Sequence, residues 1–459
     1  MSENKKKANN KKVVVRFPPS PTGPFHIGNA RTFLFNYLFA KQNNGQIVFR
    51  LEDTDKERSR EEYAKDIAGG LKWLGIEPDF STTVKQSERT EIYKKYLEKL
   101  INEGKAYLSK EETTEEGRRA EVIRFKNPNK KITFNDLIRD DIEFDTTELK
   151  DFVIAKSLEE PIYHLAVVID DYEMGVTHVI RGDDGISNTP RQILIQEAIG
   201  APRPIYAHVP LMLAPDGTKL SKRKHGEQVS VSFYRNAGYI PEAMINFLAM
   251  VGWNPGTDQE IFSMEELLKI FDIKKVQKKG GVFNIEKLDW LNREYILNLP
   301  NEEKVSNFLR QLTDSKTKWK DSEKTKDKIF MEKLLKIILD RIHKWGEVKE
   351  MLEAGEYDYL FERPILDNDK ILWKKESKEK VISIMKKILS IMKKEENNYN
   401  EIKKNIWNLA EKEGKGDVLW PLRYTLSGRE KSPDPFTLID ILGVKESKER
   451  IEKAVEALK

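Results

Sequence analysis

A short stretch near the N-terminus, His26-Ile27-Gly28-Asn29, joins a proline-rich loop to a helical pattern of apolar residues. The loop follows Val13–Val15, a β-branched run that is typical of a buried strand. Backbone N–H groups and the positive end of the helix dipole would face a ligand there. Gly28 would let that ligand approach the backbone, and His26 could donate to a phosphate oxygen. The spacing fits neither the Walker pattern nor the dinucleotide fingerprint, so any phosphate bound here would be held in another way. An ordinary loop with a surface histidine is the alternative.

A second candidate is the basic loop Ala214–Gly226, which is rich in turn residues and ends in glycine. Its cations are Lys219, Lys222, Arg223 and Lys224. Mobile cations of this kind can stabilise the charge that develops on a leaving diphosphate. The alternative is a solvated surface, which is the more usual role of a charge run.

Acidic residues crowd the end of another strand-like run, Gln46–Glu52, where Asp53 and Asp55 follow directly. In an open α/β sheet the carboxyl edge of the strands is where ligands bind. A ligand site is therefore one interpretation of Glu52 and its acidic neighbours. A capping run for a helix that begins near Ser59 is the alternative.

Two later stretches supply further strands. Tyr163–Asp171 is an apolar run that we expect to form a strand ending in two carboxylates. Thr177–Arg181 predicts another strand, which is followed by Asp184 and by a helix over Thr189–Ala198. Because strands alternate with helices, the sequence predicts an α/β fold with a parallel, doubly wound sheet.

The string RFPPSPTGPFHIG, from Arg16 to Gly28, closely resembles the first signature of the glutamyl-tRNA synthetases, which are class I aminoacyl-tRNA synthetases. The string KLSKR, at Lys219–Arg223, resembles the second class I signature and follows in the right order. The resemblance extends from Val13 over nearly the whole chain. It implies a Rossmann-type catalytic domain with an α+β insertion, followed by an all-α anticodon-binding region of the bacterial type. One departure is Asn29, where the general class I motif has a second histidine.

The resemblance also implies a reaction and a set of site residues. The family activates L-glutamate with ATP and Mg²⁺, which gives glutamyl-adenylate and releases pyrophosphate. It then transfers the glutamyl group from the adenylate to the 2′-hydroxyl at the end of tRNA. Glutamate has two carboxylates and one ammonium, so its site needs two cations and one anion. The implied glutamate-binding residues are Arg16, Pro18, Ser20, Glu52, Tyr163 and Arg181. The implied ATP-binding residues are His26, Gly28, Asp184 and Lys222, and the implied catalytic group is His26, Gly28, Lys219 and Lys222.

The composition of the 459 residues sets limits on the class of protein. There are 80 Lys+Arg and 76 Asp+Glu, and a net charge of +4 neither requires nor excludes RNA. The chain has no cysteine, so it cannot form disulfides or the thiolate zinc site that some relatives carry, and we expect no zinc. No run is long enough to span a membrane, and the first twelve residues lack the apolar core of a signal peptide. We expect a cytoplasmic monomer.

The chain is long enough for about three domains. We expect a disordered basic tail over 1–12, the catalytic domain over 13–103 and 163–232 with an acceptor-binding insertion over 104–162, a stem-contact helical region over 233–310, and two anticodon-binding helical subdomains over 311–378 and 379–459. The implied partner is the tRNA for glutamate, and the sequence leaves open whether the tRNA for glutamine is a second one. Arg423 is a candidate anticodon contact, with packing or capping as the alternative.

Four other functions remain as alternatives. A glutaminyl-tRNA synthetase usually carries glutamate and asparagine where this chain has Ser20 and Thr22, and its anticodon-binding part is built from β-barrels. A shorter paralogue that glutamylates a modified tRNA nucleoside stops after the catalytic region. A nucleotidylyltransferase would not need the helical C-terminal half. A tRNA-binding regulator built on an inactive synthetase would not need His26, Glu52 and Lys222.

Overall fold

A computed structural model of the chain describes residues 12–55, 57–111, 121–372 and 376–459. The chain divides into two compact units, Met1–Tyr295 and Ile296–Lys459. The expected disordered tail lies outside the described residues except for Lys12. The expected connection between two helical subdomains lies partly outside them, since Lys374 and Lys375 are not described.

The first unit contains strands throughout its length. They are β1 (Val14–Phe17), β2 (Gln46–Leu51), β3 (Val84–Lys85), β4 (Ala106–Lys110), β5 (Glu121–Phe125), β6 (Lys131–Asp136), β7 (Asp140–Asp145), β8 (Phe152–Ser157), β9 (Glu160–Pro161), β10 (His178–Gly182), β11 (Ile205–Val209), β12 (Met212–Leu213) and β13 (Gly281–Val282).

Helices separate these strands. They are α1 (Ile27–Gln42), α2 (Glu61–Trp73), α3 (Thr90–Asn102), α4 (Tyr163–Glu173), α5 (Thr189–Ile199), α6 (Lys222–His225), α7 (Val231–Asn236), α8 (Pro241–Met250), α9 (Met264–Ile270) and α10 (Ile285–Asn298). The division between the units falls within α10.

Parallel strands form the framework of the first unit. β1, β2 and β3 pair in that order, and Val14 lies opposite Gln46. A second sheet has the order β10-β11-β6-β7, in which β10 and β11 are parallel and His178 lies opposite Ile205. The N–H of Thr177 donates to the carbonyl of Val14 over 2.9 Å, so β1 lies beside the start of β10. The predicted α/β fold with a parallel sheet is confirmed.

Part of the expected insertion belongs to this framework. β6 and β7 form an antiparallel hairpin, and β6 pairs with β11 at Asp136 and Tyr206. The other strands of the insertion form a separate antiparallel sheet in the order β4-β5-β8-β9. The hairpin therefore extends the sheet that carries Arg181 at the end of β10.

The prediction of a strand over Tyr163–Asp171 is wrong, because these residues form most of the helix α4. All residues of α4 from Leu165 to Asp171 are buried, against α3, α5 and β8. A helix that is buried on all sides has no apolar period, and Val167, Val168 and Ile169 are β-branched, so the run looks like a buried strand. The two carboxylates therefore lie in the last turns of a helix and not at a strand end.

The second unit consists of helices within its described residues, as the sequence predicted. They are α11 (Asn301–Asp314), α12 (Glu323–Lys326), α13 (Lys328–Leu339), α14 (Gly346–Glu353), α15 (Asn368–Ile371), α16 (Lys378–Lys394), α17 (Tyr399–Glu413), α18 (Lys415–Ser427), α19 (Pro435–Leu442) and α20 (Val444–Leu458). No helix in the described part of the chain is long and apolar enough to cross a membrane.

Amphipathic packing holds the second unit together. The predicted apolar stripes are buried, with Leu334, Ile384 and Ile451 as examples. Arg423 lies in α18, where its guanidinium donates to the carbonyl of Glu430 over 2.8 Å and lies 4.9 Å from the ring centre of Trp420. Both contacts are of the kind expected if Arg423 is a packing or capping residue, which is the alternative to an anticodon contact.

A buried charge network joins β2 to α4. Arg50, which is fully buried in β2, lies 2.9 Å from Asp171, 3.2 Å from Glu52 and 3.6 Å from Asp170. Burial alone would lower the pKa of Arg50, and the attraction of Asp171, Glu52 and Asp170 raises it instead. Asp170 also accepts hydrogen bonds from three side chains, namely Gln86 before α3, Arg89 at its N-cap and Tyr93 in its first turn.

We expect Arg50→Met to destabilise the first unit by about 3–5 kcal/mol, because it leaves three buried carboxylates without their shared cation. Arg58→Met is the matched control, since Arg58 pairs with Asp55 on the surface and its loss should change the free energy of unfolding very little. The measurement is unfolding in urea, with hydrogen exchange of the amides in β2 and α4. Equal losses in the two variants would contradict the importance of the buried network.

Candidate active site

All the site residues predicted from the sequence meet in one pocket of about 700 Å³ in the first unit. They are Arg16, Pro18, Ser20, His26, Gly28, Glu52, Tyr163, Arg181, Asp184, Lys219 and Lys222. Asn29 also lines this pocket. The sequence therefore predicted which residues meet, while the role of each one stays a prediction.

His26 caps the N-terminus of α1. Its Nδ1 accepts the N–H of Gly28 over 2.9 Å, so the ring proton lies on Nε2 when the ring is neutral. Burial lowers the pKa of His26, and the positive charge of Lys219 lowers it further. A Cβ on residue 28 would lie 3.0 Å from Nδ1, so glycine fits there without disturbing the ring. His26 thus has a neutral Nε2–H donor for a ligand at the helix N-terminus.

Arg16 and Glu52 lie at the ends of the neighbouring strands β1 and β2. Arg16 is buried, 3.5 Å from Asp171, and donates to the carbonyl of Ile180 over 3.3 Å. Burial raises the pKa of Glu52, although Arg50 and Arg16 attract its charged form. The charged form of Glu52 would gain from a further cation in the pocket, and an ammonium group is suited to that role.

Arg181 lies at the end of β10 and is 8% exposed. Its guanidinium donates to Gln192 over 2.8 Å, to Thr189 over 2.7 Å and to the carbonyl of Gly185 over 3.0 Å. A Cβ on Gly185 would lie 2.6 Å from Arg181 Nε, so this close packing requires glycine. Burial lowers the pKa of Arg181, and none of the ion pairs among the described residues involves it.

The basic loop contributes two exposed lysines to the pocket. Lys219 lies 3.2 Å from Asp184, and Lys222 lies 3.1 Å from Glu227. Exposed pairs of this kind contribute little stability, typically about 0–1 kcal/mol, so phosphate oxygens could replace their carboxylates at low cost. Lys224 belongs to the same cationic run, but it is absent from the lining of the pocket.

Sequence reasoning missed Arg31, which also lines the pocket. Arg31 is buried in α1 and donates to the carbonyls of Val251 and Pro210. Burial lowers the pKa of Arg31 to about 10, against the attraction of Asp183. Because Pro210 precedes β12 and the basic loop, Arg31 fixes the base of that loop relative to α1. An arginine among apolar helix residues is the signal that could have indicated such a role.

Sequence reasoning also missed two groups that lie behind the pocket. Arg50 and Asp171 hold Glu52 and Arg16, and the pair Asp136–His208 contacts Arg181. Asp136 and His208 are 72 residues apart, so their pairing has no local sequence signal. Among the described residues, no group of three or more acidic, histidine or cysteine residues could hold a metal ion by itself.

Two family descriptions match the chain. Residues 12–121 and 108–290 match the family described as tRNA synthetases class I (E and Q), catalytic domain. Residues 302–455 match the family described as anticodon binding domain. The first of these covers more than half of the chain, and the second lies within the helical unit.

Curated relatives and solved structures are similar over nearly the whole chain. The glutamate–tRNA ligase of Aquifex aeolicus is 40% identical, covering 97% of this chain and 99% of the relative. That of Carboxydothermus hydrogenoformans is also 40% identical, covering 96% and 99%. A crystal structure of a glutamate tRNA ligase from Elizabethkingia meningosepticum, in complex with its amino acid, is 33% identical, with a TM-score of 0.85 and coverage of 98% and 100%. The chain therefore belongs to the glutamate–tRNA ligases, within the class I tRNA synthetases of the E and Q type.

Proposed function

We propose that this chain activates L-glutamate with ATP and transfers the glutamyl group to the 3′-terminal adenosine of the tRNA for glutamate. Relatives that are named for this reaction match over nearly the whole of this chain and nearly the whole of their own length. The expected enzyme is an aminoacyl-tRNA synthetase, which forms a carbon–oxygen ester bond between the amino acid and the tRNA.

The observation that carries the proposal is the charge of the pocket. Arg181 is a buried cation with only uncharged partners, and Arg16 is a second cation whose carboxylate neighbour lies 3.5 Å away. Glu52 is a buried anion at the end of the adjacent strand. Two cations and one anion match the two carboxylates and the ammonium of glutamate, with Arg16 proposed for the side chain. Ser20 and Tyr163 complete the proposed site.

ATP is proposed to bind through His26, Gly28, Asp184 and Lys222. Its Mg²⁺ would arrive on the phosphates as part of the substrate. An oxygen of the glutamate α-carboxylate attacks the α-phosphorus, and the bond to the pyrophosphate oxygen breaks. The His26 Nε2–H and the ammonium groups of Lys219 and Lys222 would stabilise the charge that moves onto the phosphates. Positioning and charge stabilisation then supply the rate, with no covalent intermediate on the enzyme.

The second step uses the 2′-hydroxyl of the terminal ribose, which attacks the glutamyl carbonyl and releases AMP. We propose that the α+β insertion over 104–162 binds the acceptor end, that 233–310 contacts the stem, and that the helices of 311–378 and 379–459 bind the anticodon. The match of 302–455 to an anticodon binding domain supports the last of these assignments. We further propose a cytoplasmic monomer that works without zinc, in keeping with a chain that has no cysteine.

The experiment that tests the function is charging of separated tRNAs for glutamate and glutamine, with labelled glutamate or labelled glutamine, ATP and Mg²⁺. We expect glutamate on the tRNA for glutamate. Glutamate on both tRNAs would mean that a downstream amidotransferase is needed. Charging with glutamine would contradict the assigned substrate, and no charging with either amino acid would favour the regulator or the nucleotidylyltransferase.

We expect Lys222→Ala to slow formation of glutamyl-adenylate by about 100-fold, because one donor to the developing phosphate charge is lost. Glutamate binding should change little. Lys224→Ala is the matched control, since Lys224 lies in the same exposed helix turn outside the pocket lining. The measurement is the single-turnover rate of activation. A rate close to that of the unsubstituted enzyme would contradict the role of Lys222.

We expect the KM for glutamate to rise as the pH is lowered, at a higher pH than an ordinary carboxyl group would cause. The pKa of Glu52 is raised by burial, so a falling pH protonates it early and removes the partner of the substrate ammonium. The KM for ATP should respond less. Glu52→Gln should show a high KM without this pH dependence, and an unchanged dependence in that variant would contradict the assignment.

A further inference from the structure

Among the described residues, the side chain of Arg181 donates four hydrogen bonds, and none of the acceptors is a carboxylate. Besides Gln192, Thr189 and Gly185, the fourth acceptor is Nε2 of His208, 3.1 Å from Arg181 Nε. Neutral acceptors fix the orientation of a guanidinium without cancelling its charge. Arg50 shows the opposite arrangement, since three carboxylates surround it. The charge of Arg181 is therefore kept for a group that enters the pocket.

The contact with Arg181 determines the protonation of His208. Arg181 Nε can only donate, so His208 Nε2 must accept, and the proton of the ring lies on Nδ1. His208 Nδ1 is 2.7 Å from a carboxylate oxygen of Asp136, and the backbone N–H of His208 donates to the same oxygen over 3.0 Å. Both side chains are completely buried, and neither lines the pocket. Burial is the main cause that lowers the pKa of His208 and keeps the ring neutral.

Asp136 is itself firmly held. Its other carboxylate oxygen accepts the N–H groups of Ile138 and Arg139, over 2.9 and 3.0 Å. Asp136 also ends β6, where it pairs with Tyr206 of β11. Hydrogen bonds thus connect Asp136 of the β6–β7 hairpin to His208 of β11 and His208 to Arg181 at the end of β10. Of these three residues, Arg181 alone lines the pocket.

We propose that His208, oriented by Asp136, is a positioning residue that holds Arg181 for binding a carboxylate of the substrate. The proposal rests on the proposed function, in which Arg181 binds glutamate. A neutral imidazole provides an acceptor for Arg181 Nε and leaves the guanidinium charge intact. A carboxylate in the same place would neutralise that charge, and a protonated ring would lose the acceptor and repel the cation. The role therefore requires the neutral ring with its proton on Nδ1.

Two substitutions of His208 separate the contact of Nδ1 with Asp136 from the contacts of Nε2, which lies 3.1 Å from both Arg181 Nε and the hydroxyl of Thr189. His208→Gln can place a carbonyl oxygen near the position of Nε2 and so keep an acceptor for Arg181. His208→Asn can keep an N–H donor toward Asp136 but cannot reach Arg181. A lost hydrogen bond to a charged group costs about 1.5–3 kcal/mol, which corresponds to a factor of about 10 to 100 in affinity. His178→Asn is the matched control, because His178 lies on the same strand as Arg181 and outside the pocket lining.

The measurement is the KM for glutamate, the KM for ATP and kcat in the charging reaction, with thermal unfolding of each variant. We expect His208→Asn to raise the KM for glutamate at least about tenfold, with the KM for ATP nearly unchanged. We expect His208→Gln to restore most of the affinity. Equal effects of both variants on the KM for glutamate, or equal rises in both KM values, would overturn the proposal.

A second variant covers the case in which His208→Asn does not fold. Asp136→Asn keeps the shape of the carboxylate but turns one acceptor into a donor, so it should produce the same selective rise in the KM for glutamate. An Asp136→Asn enzyme with an unchanged KM for glutamate would overturn the role of Asp136. If the unsubstituted enzyme charges no tRNA with glutamate, the proposed function itself fails. If the unsubstituted enzyme does charge tRNA and the variants have the same KM for glutamate, only the positioning role fails.

Discussion

A single buried guanidinium, that of Arg50, holds together the side of the pocket that is proposed to bind glutamate. The carboxylates around it come from two places in the chain, Glu52 at the end of β2 and the Asp170–Asp171 pair of α4. Asp171 then contacts Arg16 of β1. Buried ion pairs gain little net stability because desolvation offsets their attraction, so the network is better explained by the arrangement it imposes. Arg50 thus holds Glu52 directly, and it holds Arg16 through Asp171.

The pocket uses buried arginines in two different ways. Arg50 is neutralised by its surroundings and serves as a structural cross-link, whereas Arg181 is surrounded by dipoles and carbonyl groups. A preorganised charge of the second kind costs stability in the empty protein, since burial disfavours it. In the proposed function, a substrate carboxylate would supply the missing counter-charge and offset that loss. Burial also disfavours the charged form of Glu52 and raises its pKa, but Glu52 already has a counter-charge, since Arg50 lies 3.2 Å away.

The sequence allowed the pocket residues to be predicted because most of them lie in contiguous strings at strand ends and at one helix start. Arg16 and His26 share the first signature, and Lys222 lies in the second. The groups behind the pocket were not predictable in the same way, because Asp136 and His208 meet only through the pairing of β6 with β11. The run Tyr163–Asp171 was mistaken for a strand, since a helix buried on all sides shows no apolar period.

The β6–β7 hairpin has a consequence for how this fold can change during evolution or in engineering. A segment that enters a fold as an insertion is often exchangeable, because it meets the host only at its two ends. Here β6 shares a sheet with β11, and its Asp136 reaches the residue behind Arg181. Replacing 104–162 as one piece would expose an edge of the catalytic sheet and remove Asp136. The separate sheet of β4, β5, β8 and β9 is tied to the host as well, since β8 packs on α4 and the two share one hydrophobic core. An exchange of the insertion would therefore have to preserve both the hairpin and this contact.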